Sequence, residues 1–220
     1  MKKILRSLLL VLLGVAVGIT ASLASYYISG DTVFKIIIGS GAGLYDSVPI
    51  RTDASNAELK AYADRILEDI KSADYEALSQ VIHPEYGLVF SPYATINLAA
   101  AKRFTPAEVA AFSDDQNKYV WGKYDGSGNP IEMTPDAYFK TFVFDKDYTA
   151  YSAVGVDYII KTGNALENIK EVFPDVRFVD YYIDGTAGNG GLDWSCLRLG
   201  FEEDGGQLKL TVIVHSQWTI

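Results

Sequence analysis

The sequence is poor in cysteine and histidine. It contains one cysteine, Cys196, and two histidines, so an internal disulfide is impossible and no Cys/His cluster has the ligand spacing of a zinc site. We therefore expect no metal ion or other cofactor. A lone cysteine is usually buried as a small apolar side chain, and we expect Cys196 to be one rather than a reactive thiol.

Clustered positive charge is also missing. The chain has 19 lysines and arginines against 28 aspartates and glutamates, which leaves a net charge of −9 at pH 7. Nucleic-acid binding requires basic residues grouped opposite the phosphates, so this balance argues against a nucleic-acid partner. Apolar residues make up 49% of the chain, including 15 tyrosines and 10 phenylalanines. This content is sufficient for one core of ordinary domain size.

The N-terminal residues have the layout of an export signal. Lys2, Lys3 and Arg6 precede an uncharged, mostly apolar run over residues 7–28, about as long as a membrane-spanning helix. A small-x-small pattern at residues 22–24 fits signal peptidase cleavage, so a cleaved signal peptide and a retained membrane anchor both remain open. In either case we expect the rest of the chain outside the cytoplasm, secreted or anchored at the cell surface. The predicted organisation is a signal or anchor over 1–28, a linker over 29–54 and a single domain over 55–220.

Regular structure is predicted from Ser55 onwards. Ser55 and Glu58 have capping-box spacing, and a stripe of apolar residues follows at helical intervals: Leu59, Tyr62, Ala63, Ile66, Leu67 and Ile70. A second helix is predicted over residues 74–83, where Pro84 disfavours continuation. Cap residues predict three further helix starts, at Thr105, Thr134 and Asn164.

The C-terminal third is predicted to form an antiparallel sheet. Aromatic and β-branched residues dominate three segments that Gly-rich turns separate, over residues 176–183, 194–202 and 208–218. Two more strand-like segments cover 118–124 and 148–161. Two helices, mixed elements and then a meander predict an α+β fold, in which N-terminal helices pack on a curved, cone-like antiparallel sheet.

A turn at residues 204–206 is predicted to pair the last two strands. Alternation then places one aliphatic set on the core face, namely Leu197, Leu199, Phe201, Leu208, Leu210 and Val212. The opposite face carries Trp194, Cys196 and Arg198 beside Thr211, Ile213, His215 and Gln217. Polar side chains on a second face either line a cavity or meet solvent. The candidate ligand-binding residues are therefore Trp194, Arg198, His215, Gln217 and Trp218, and the alternative is a buried structural role for Arg198 and His215.

We assign no catalytic residue. Cys196 and His215 are cross-strand neighbours in one possible register, which would pair a nucleophile with a base, but no third orienting group can be named. Asp145 and Asp147 are interpreted as a solvated turn because charged residues are usually exposed. His83, at a helix end before Pro84, is interpreted as a residue that caps carbonyls or interacts favourably with the helix dipole. Residues 125–129 are interpreted as a hairpin turn rather than a calcium loop.

Several short motifs resemble those of a known group of proteins. They are His83-Pro84 with Gly87 and residues 90–93, Asp193-Trp194 with residues 197–199, and the terminal residues 215–220. Together they resemble a group of uncharacterised exported bacterial proteins, over roughly Asn56 to the end of the chain. The order of elements is similar to the nuclear transport factor 2-like cone, a fold shared with ketosteroid isomerase and polyketide cyclase relatives.

The resemblance to the cone implies a sheet that encloses a pocket, and this fold hosts both enzymes and binding modules. We expect a noncatalytic domain that binds a small ligand, an envelope component or a protein partner. The alternative is a small-molecule enzyme of the isomerase or cyclase kind that uses the pocket. An enclosed polar pocket with converging ionisable groups would favour the enzyme, and a shallow or fully filled cone would favour a binding or structural role.

Overall fold

A computed structural model describes residues 49–219 of the protein. The predicted signal or anchor, residues 1–28, and most of the predicted linker lie outside the described residues. Among residues 49–219, no helix combines the length and the apolar character that a membrane span requires.

Two helices open the described part of the chain, as predicted. Helix α1 (Asn56–Ser72) begins at a capping box, in which the Ser55 hydroxyl accepts from the Glu58 N–H and the Glu58 carboxylate accepts from the Ser55 N–H. Its buried residues are the six of the predicted stripe. Helix α2 (Tyr75–Val81) begins after Asp74, whose side chain accepts from the Ala77 N–H.

Shorter helices follow, and one predicted start is wrong. Helices α3 (Pro106–Ala110) and α4 (Pro135–Tyr138) begin after Thr105 and Thr134 as predicted, and a π-helix (Phe139–Val143) continues α4. Helix α5 (Ile169–Val172) begins five residues after Asn164. The Asn164 side chain instead accepts from the Thr219 N–H and hydroxyl, so its polar atom serves the C-terminal end of the chain rather than a helix. Two 3₁₀ turns cover Tyr148–Ala150 and Ala187–Asn189.

The α+β prediction is confirmed, and the main sheet is curved and largely antiparallel. Its strands in spatial order are β3 (Lys102–Phe104), β2 (Leu88–Ser91), β9 (Gln207–Gln217), β8 (Ser195–Asp204), β7 (Arg177–Ile183) and β6 (Ala153–Val156). Strand β1 (Ile50–Arg51), in the predicted linker, pairs with the start of β9. Strands β4 (Tyr119–Lys123) and β5 (Pro130–Met133) form a separate hairpin with the predicted turn at 125–129.

Two features of the sheet differ from the prediction, and a third confirms it. The pairing of β2 with β9 is parallel and links segments more than a hundred residues apart. The strand expected over residues 148–161 is reduced to Ala153–Val156, because a 3₁₀ turn precedes it and the chain leaves the sheet at Asp157, whose φ is 52°. The predicted meander of β7, β8 and β9 is confirmed, with Gly205 and Gly206 at φ 57° and 83° in the last turn.

A bulge in β9 reverses the side-chain alternation near its middle. Gly200 lies opposite Val212 whereas Phe201 lies opposite Leu210, so Thr211 is an extra residue on β9. One extra residue turns all following side chains to the other face. Leu197, Leu199 and Phe201 therefore share a face with Leu208, Leu210, Ile213 and His215. The predicted place of Val212 on that face is wrong, and so is the predicted place of Ile213 and His215 on the other.

Side chains cover both faces of the main sheet. We call the side that bears α1 and α2 the helix face, and the side covered by residues 157–176 the loop face. On the helix face a cluster of buried rings fills the interior: Tyr75, Phe90, Phe104, Phe112, Trp121, Tyr138, Phe139 and Phe142. Trp121 and Tyr138 stack with ring centroids 3.9 Å apart. On the loop face Ile169, Phe173 and Val176 pack on Phe178, Val212 and Val214.

Candidate functional site

The five residues predicted to form one surface are divided between two faces. Arg198 pairs with Val214 on the loop face, whereas His215 pairs with Leu197 on the helix face. Trp194 is buried under the loop, where its ring lies 3.3 Å from the position of a Cβ on Gly163. Gln217 lies opposite Ser195 at the end of the helix face, and Trp218 is 44% exposed. The predicted common polar face is therefore wrong, because the bulge at Thr211 separates Arg198 from His215.

Arg198 forms a buried cluster with two carboxylates. Its Nη1 donates to Glu167 Oε2 at 2.6 Å, and its Nε lies 3.2 Å from Asp180 Oδ1. The guanidinium carbon lies 5.5 Å from the centroid of the Phe178 ring. The side chains of Arg198 and Asp180 are 1% and 0% exposed, and Arg198 Nη2 has no hydrogen-bond partner among the described residues.

The electrostatics of this cluster point to a structural role. Burial raises the pKa of Asp180, although the charge of Arg198 and the Ile160 N–H both act in the opposite direction. Two carboxylates face one guanidinium. A negative charge on both carboxylates at once is therefore energetically unfavourable in a buried site. Glu167 and Ile160 both belong to the segment that covers the loop face, so the cluster fastens this segment to the sheet.

His215 belongs to a separate buried network of polar groups on the helix face. Its Nδ1 lies 3.2 Å from the Pro92 carbonyl oxygen, and its Nε2 lies 3.4 Å from Asp145 Oδ1. The Tyr148 hydroxyl donates to Asp145 at 2.7 Å and lies 2.6 Å from the Ser195 hydroxyl. The Asp145 side chain is only 20% exposed, so its interpretation as part of a solvated turn is wrong.

Burial and orientation limit the chemistry that the polar groups around His215 can perform. Burial raises the pKa of Asp145, but contacts with His215 and Tyr148 outweigh it and hold that pKa below its usual value. A carboxylate beside an imidazole is the orienting half of a nucleophilic site. However, the two nitrogens of His215 face Pro92 and Asp145, and the buried Ser195 hydroxyl contacts Tyr148 instead. The arrangement therefore binds segments together and presents no accessible nucleophile.

Cys196 lies on the loop face opposite Ser216, so the hypothesis of a Cys196–His215 pair is wrong. The prediction that Cys196 is buried is confirmed, and burial raises the pKa of its thiol well above the usual range. Within residues 49–219, no three His, Cys, Asp or Glu side chains converge where a metal ion could bind. His83 does not cap a helix carbonyl, because its Nδ1 accepts from the Tyr86 N–H in the turn before β2.

The described structure has a surface groove that the sequence did not indicate. The groove has a volume of about 500 Å³ and lies between α2, α3 and the hairpin of β8 and β9. Its apolar lining residues are Ile82, Pro84, Pro106, Ala107 and Ala110, of which Ile82 is buried and Pro84 and Ala107 are exposed. Its polar lining residues are the buried Ser79 and five exposed or half-buried residues, which we call the rim: Glu76, Gln80, Asp204, Gln207 and Lys209. These residues come from segments more than a hundred positions apart, and no motif connects them.

Comparison with family models, with curated proteins and with solved structures found no match to this chain. The resemblances that the sequence motifs indicate therefore stay predictions.

Proposed function

We propose that the protein is a noncatalytic binding domain outside the cytoplasm, and that it takes a short basic peptide segment of a protein partner in the surface groove. The observation that carries the proposal is the position of open space. The groove is at the surface, whereas rings fill the interior of the helix face. An isomerase- or cyclase-like enzyme needs an enclosed pocket with converging ionisable groups.

Size and shape support a peptide ligand. A volume of about 500 Å³ falls in the range of known ligand sites, roughly 300–1,000 Å³. A groove at the surface can take a short segment of a longer chain. Glu76, Gln80 and Gln207 on the rim offer carboxylate and amide groups that can hydrogen-bond a peptide backbone.

Charge supports a basic ligand. Glu76 and Asp204 on the rim outnumber Lys209, and the whole chain carries a net charge of −9. A field of one sign raises the encounter rate with partners of the opposite sign and weakens as salt is added. We expect the affinity for a basic peptide to fall as salt concentration rises.

The proposed location rests on the basic and apolar order of residues 1–28. The protein is then either secreted after cleavage or held at the membrane through this segment. Cell fractionation with an antibody against the C-terminal domain tests it. Recovery of the full-length protein as a soluble cytoplasmic species would contradict the proposal.

Peptide selection tests the groove. A phage-displayed library of random heptapeptides is selected against the protein, and an enriched sequence is synthesised with a fluorescent label. We expect enriched peptides to carry Lys or Arg. Ala107→Trp, which fills the groove, should weaken binding by tenfold or more in an anisotropy titration. Ala187→Trp, on an exposed 3₁₀ turn outside the groove, is the matched control and should bind like the parent. Failure to enrich any sequence, or equal binding by Ala107→Trp, would overturn the proposal.

A further inference from the structure

The two histidines of the chain have opposite hydrogen-bonding surroundings. His83 Nδ1 accepts from the Tyr86 N–H at 3.0 Å, so this nitrogen carries no proton. His215 Nδ1 instead lies 3.2 Å from the Pro92 carbonyl oxygen, and its Nε2 lies 3.4 Å from Asp145 Oδ1. A carbonyl and a carboxylate only accept hydrogen bonds, so both nitrogens of His215 face acceptors. This geometry suits an imidazolium, which donates from both nitrogens.

Loss of one ring proton makes the same geometry unfavourable. Nδ1 keeps its proton, because the Pro92 carbonyl accepts from it. The lone pair of Nε2 then faces Asp145 Oδ1, and neither atom can donate to the other. The side chain of His215 is 1% exposed, and a buried acceptor without a donor costs free energy. The side chain of Asp145 is 20% exposed, so a rotation can carry its carboxylate into water.

Neighbouring hydroxyls have a hydrogen bond for either position of Asp145. The Tyr148 hydroxyl donates to Asp145 at 2.7 Å and lies 2.6 Å from the Ser195 hydroxyl, where either oxygen can be the donor. Burial and the charge of Asp145 raise the pKa of Tyr148 well above its usual value, so the phenol keeps its proton. Once Asp145 has moved away, Tyr148 can donate to Ser195. The buried phenol therefore has a partner in both arrangements.

Asp145 is the charged group that contacts His215 within residues 49–219. Strand β8 places Leu197 opposite His215, the π-helix places the Phe142 ring 5.8 Å from the imidazole, and the chain after β2 supplies the Pro92 carbonyl. None of these three groups titrates. Burial acts to raise the pKa of Asp145, but hydrogen bonds from the imidazole and the phenol outweigh it and hold that pKa below its usual value. The carboxylate therefore stays charged while the ring gains or loses its proton.

The charged residues that follow Asp145 have other partners. Lys146 donates to the Asp193 carbonyl, and the Asp147 carboxylate accepts from Lys71 at 3.0 Å. These contacts do not depend on the imidazole. A change at Asp145 is therefore confined to its own side chain and the nearby backbone.

We propose that His215 and Asp145 form a proton-operated latch at the end of β9. The imidazolium holds the Asp145 carboxylate against the sheet, and loss of the Nε2 proton to water releases that carboxylate to solvent. A π-helix is rare and frequently occurs at functional sites, and here it ends two residues before Asp145. The latch goes beyond the proposed function, because neither residue lines the groove.

An NMR titration of the isotope-labelled full chain tests the latch. Spectra of the histidine ring nitrogens and of the backbone amides are recorded between pH 5 and pH 8. We expect both nitrogens of His215 to carry protons at pH 5 and Nδ1 alone to carry one at pH 8. The amides of residues 144–148 should shift over the same pH interval as the His215 ring.

Two variants separate the latch from a general effect of pH. Asp145→Asn removes the charge with little change of shape, and the amides of residues 144–148 should then no longer follow the His215 ring. It should also lower the melting temperature more at pH 5, where the imidazolium loses its partner, than at pH 8. His83→Gln is the matched control, because it removes the other titrating ring, and it should leave the response of residues 144–148 unchanged.

Three results would overturn the latch. They are a His215 ring with one proton at pH 5, amides of residues 144–148 that do not follow the ring, and an Asp145→Asn variant that keeps the parent response. The first two are measured on the unaltered chain, so the test does not depend on the folding of a variant.

Discussion

Replacement of Arg198 by alanine is expected to destabilise the fold strongly and in a pH-dependent manner. The guanidinium is 1% exposed and faces Asp180 and Glu167, whose side chains are 0% and 10% exposed. Removal of one partner from a buried pair costs about 3–5 kcal/mol, because the remaining charge is left without compensation. Glu167 lies on a loop and can turn to water, whereas Asp180 is held in the middle of β7. Most of the cost therefore comes from Asp180.

The pH dependence has a definite sign. Burial already raises the pKa of Asp180 in the folded parent, and loss of the Arg198 charge raises it further. When the pKa of a carboxyl group is higher in the folded state, the protein keeps its full stability below the unfolded pKa of about 3.9. The free energy of unfolding then falls as pH rises through the folded pKa. The loss of unfolding free energy caused by Arg198→Ala should therefore be largest at pH 8 and smaller at pH 5.

Urea unfolding followed by tryptophan fluorescence at both pH values measures the deficit. Asp180→Asn in the Arg198→Ala background should recover part of the loss at pH 8, because it removes the uncompensated charge. Lys140→Ala is the control, since its ion pair with Asp136 is 73% and 49% exposed and contributes below about 1 kcal/mol. A loss below about 1 kcal/mol at pH 8, or a deficit that grows towards pH 5, would refute the reasoning.

Three further predictions concern a buried leucine, the cap of α1 and a carboxyl group with a raised pKa. Leu199→Ala empties a fully buried site and should cost about 2–5 kcal/mol in urea unfolding; a value below about 0.5 kcal/mol would contradict its place in the core. Ser55→Ala removes the cap of α1 and should cost about 0.5–2 kcal/mol, with Ser55→Gly losing less. Burial and the nearby Asp74 raise the pKa of Asp69 to about 6, so Asp69→Asn should raise the melting temperature at pH 8 more than at pH 4. An equal gain at both values would contradict this assignment.

Local chemistry made the helices and the meander predictable. Ser55, Thr105 and Thr134 each supply an acceptor for an N–H within the next turn, and such caps depend only on neighbouring residues. The turn at Gly205 and Gly206 is equally local, because it needs two residues that tolerate positive φ. These signals act over a few residues and were correct, whereas the cap predicted at Asn164 was wrong because its side chain accepts from Thr219 instead.

Features set by packing between distant segments were not predictable. The sequence of β9 is apolar on both faces, so alternation alone does not show that Thr211 forms a bulge. The error placed Arg198 and His215 on one face, although each has its own carboxylate on a different side of the sheet. The groove was missed for the same reason, since small residues such as Ala107 create a depression only after the hairpin packs nearby.

Chemical-shift mapping tests the proposed binding surface most directly. Amide spectra of the isotope-labelled protein are recorded while a basic peptide from the selection is added. We predict that the shifts that change belong to α2, α3 and the first residues of β9, all around the groove. Changes centred on the amides around Trp121 and Phe90, inside the ring cluster of the helix face, would mean that the ligand enters the interior and would contradict the proposed function.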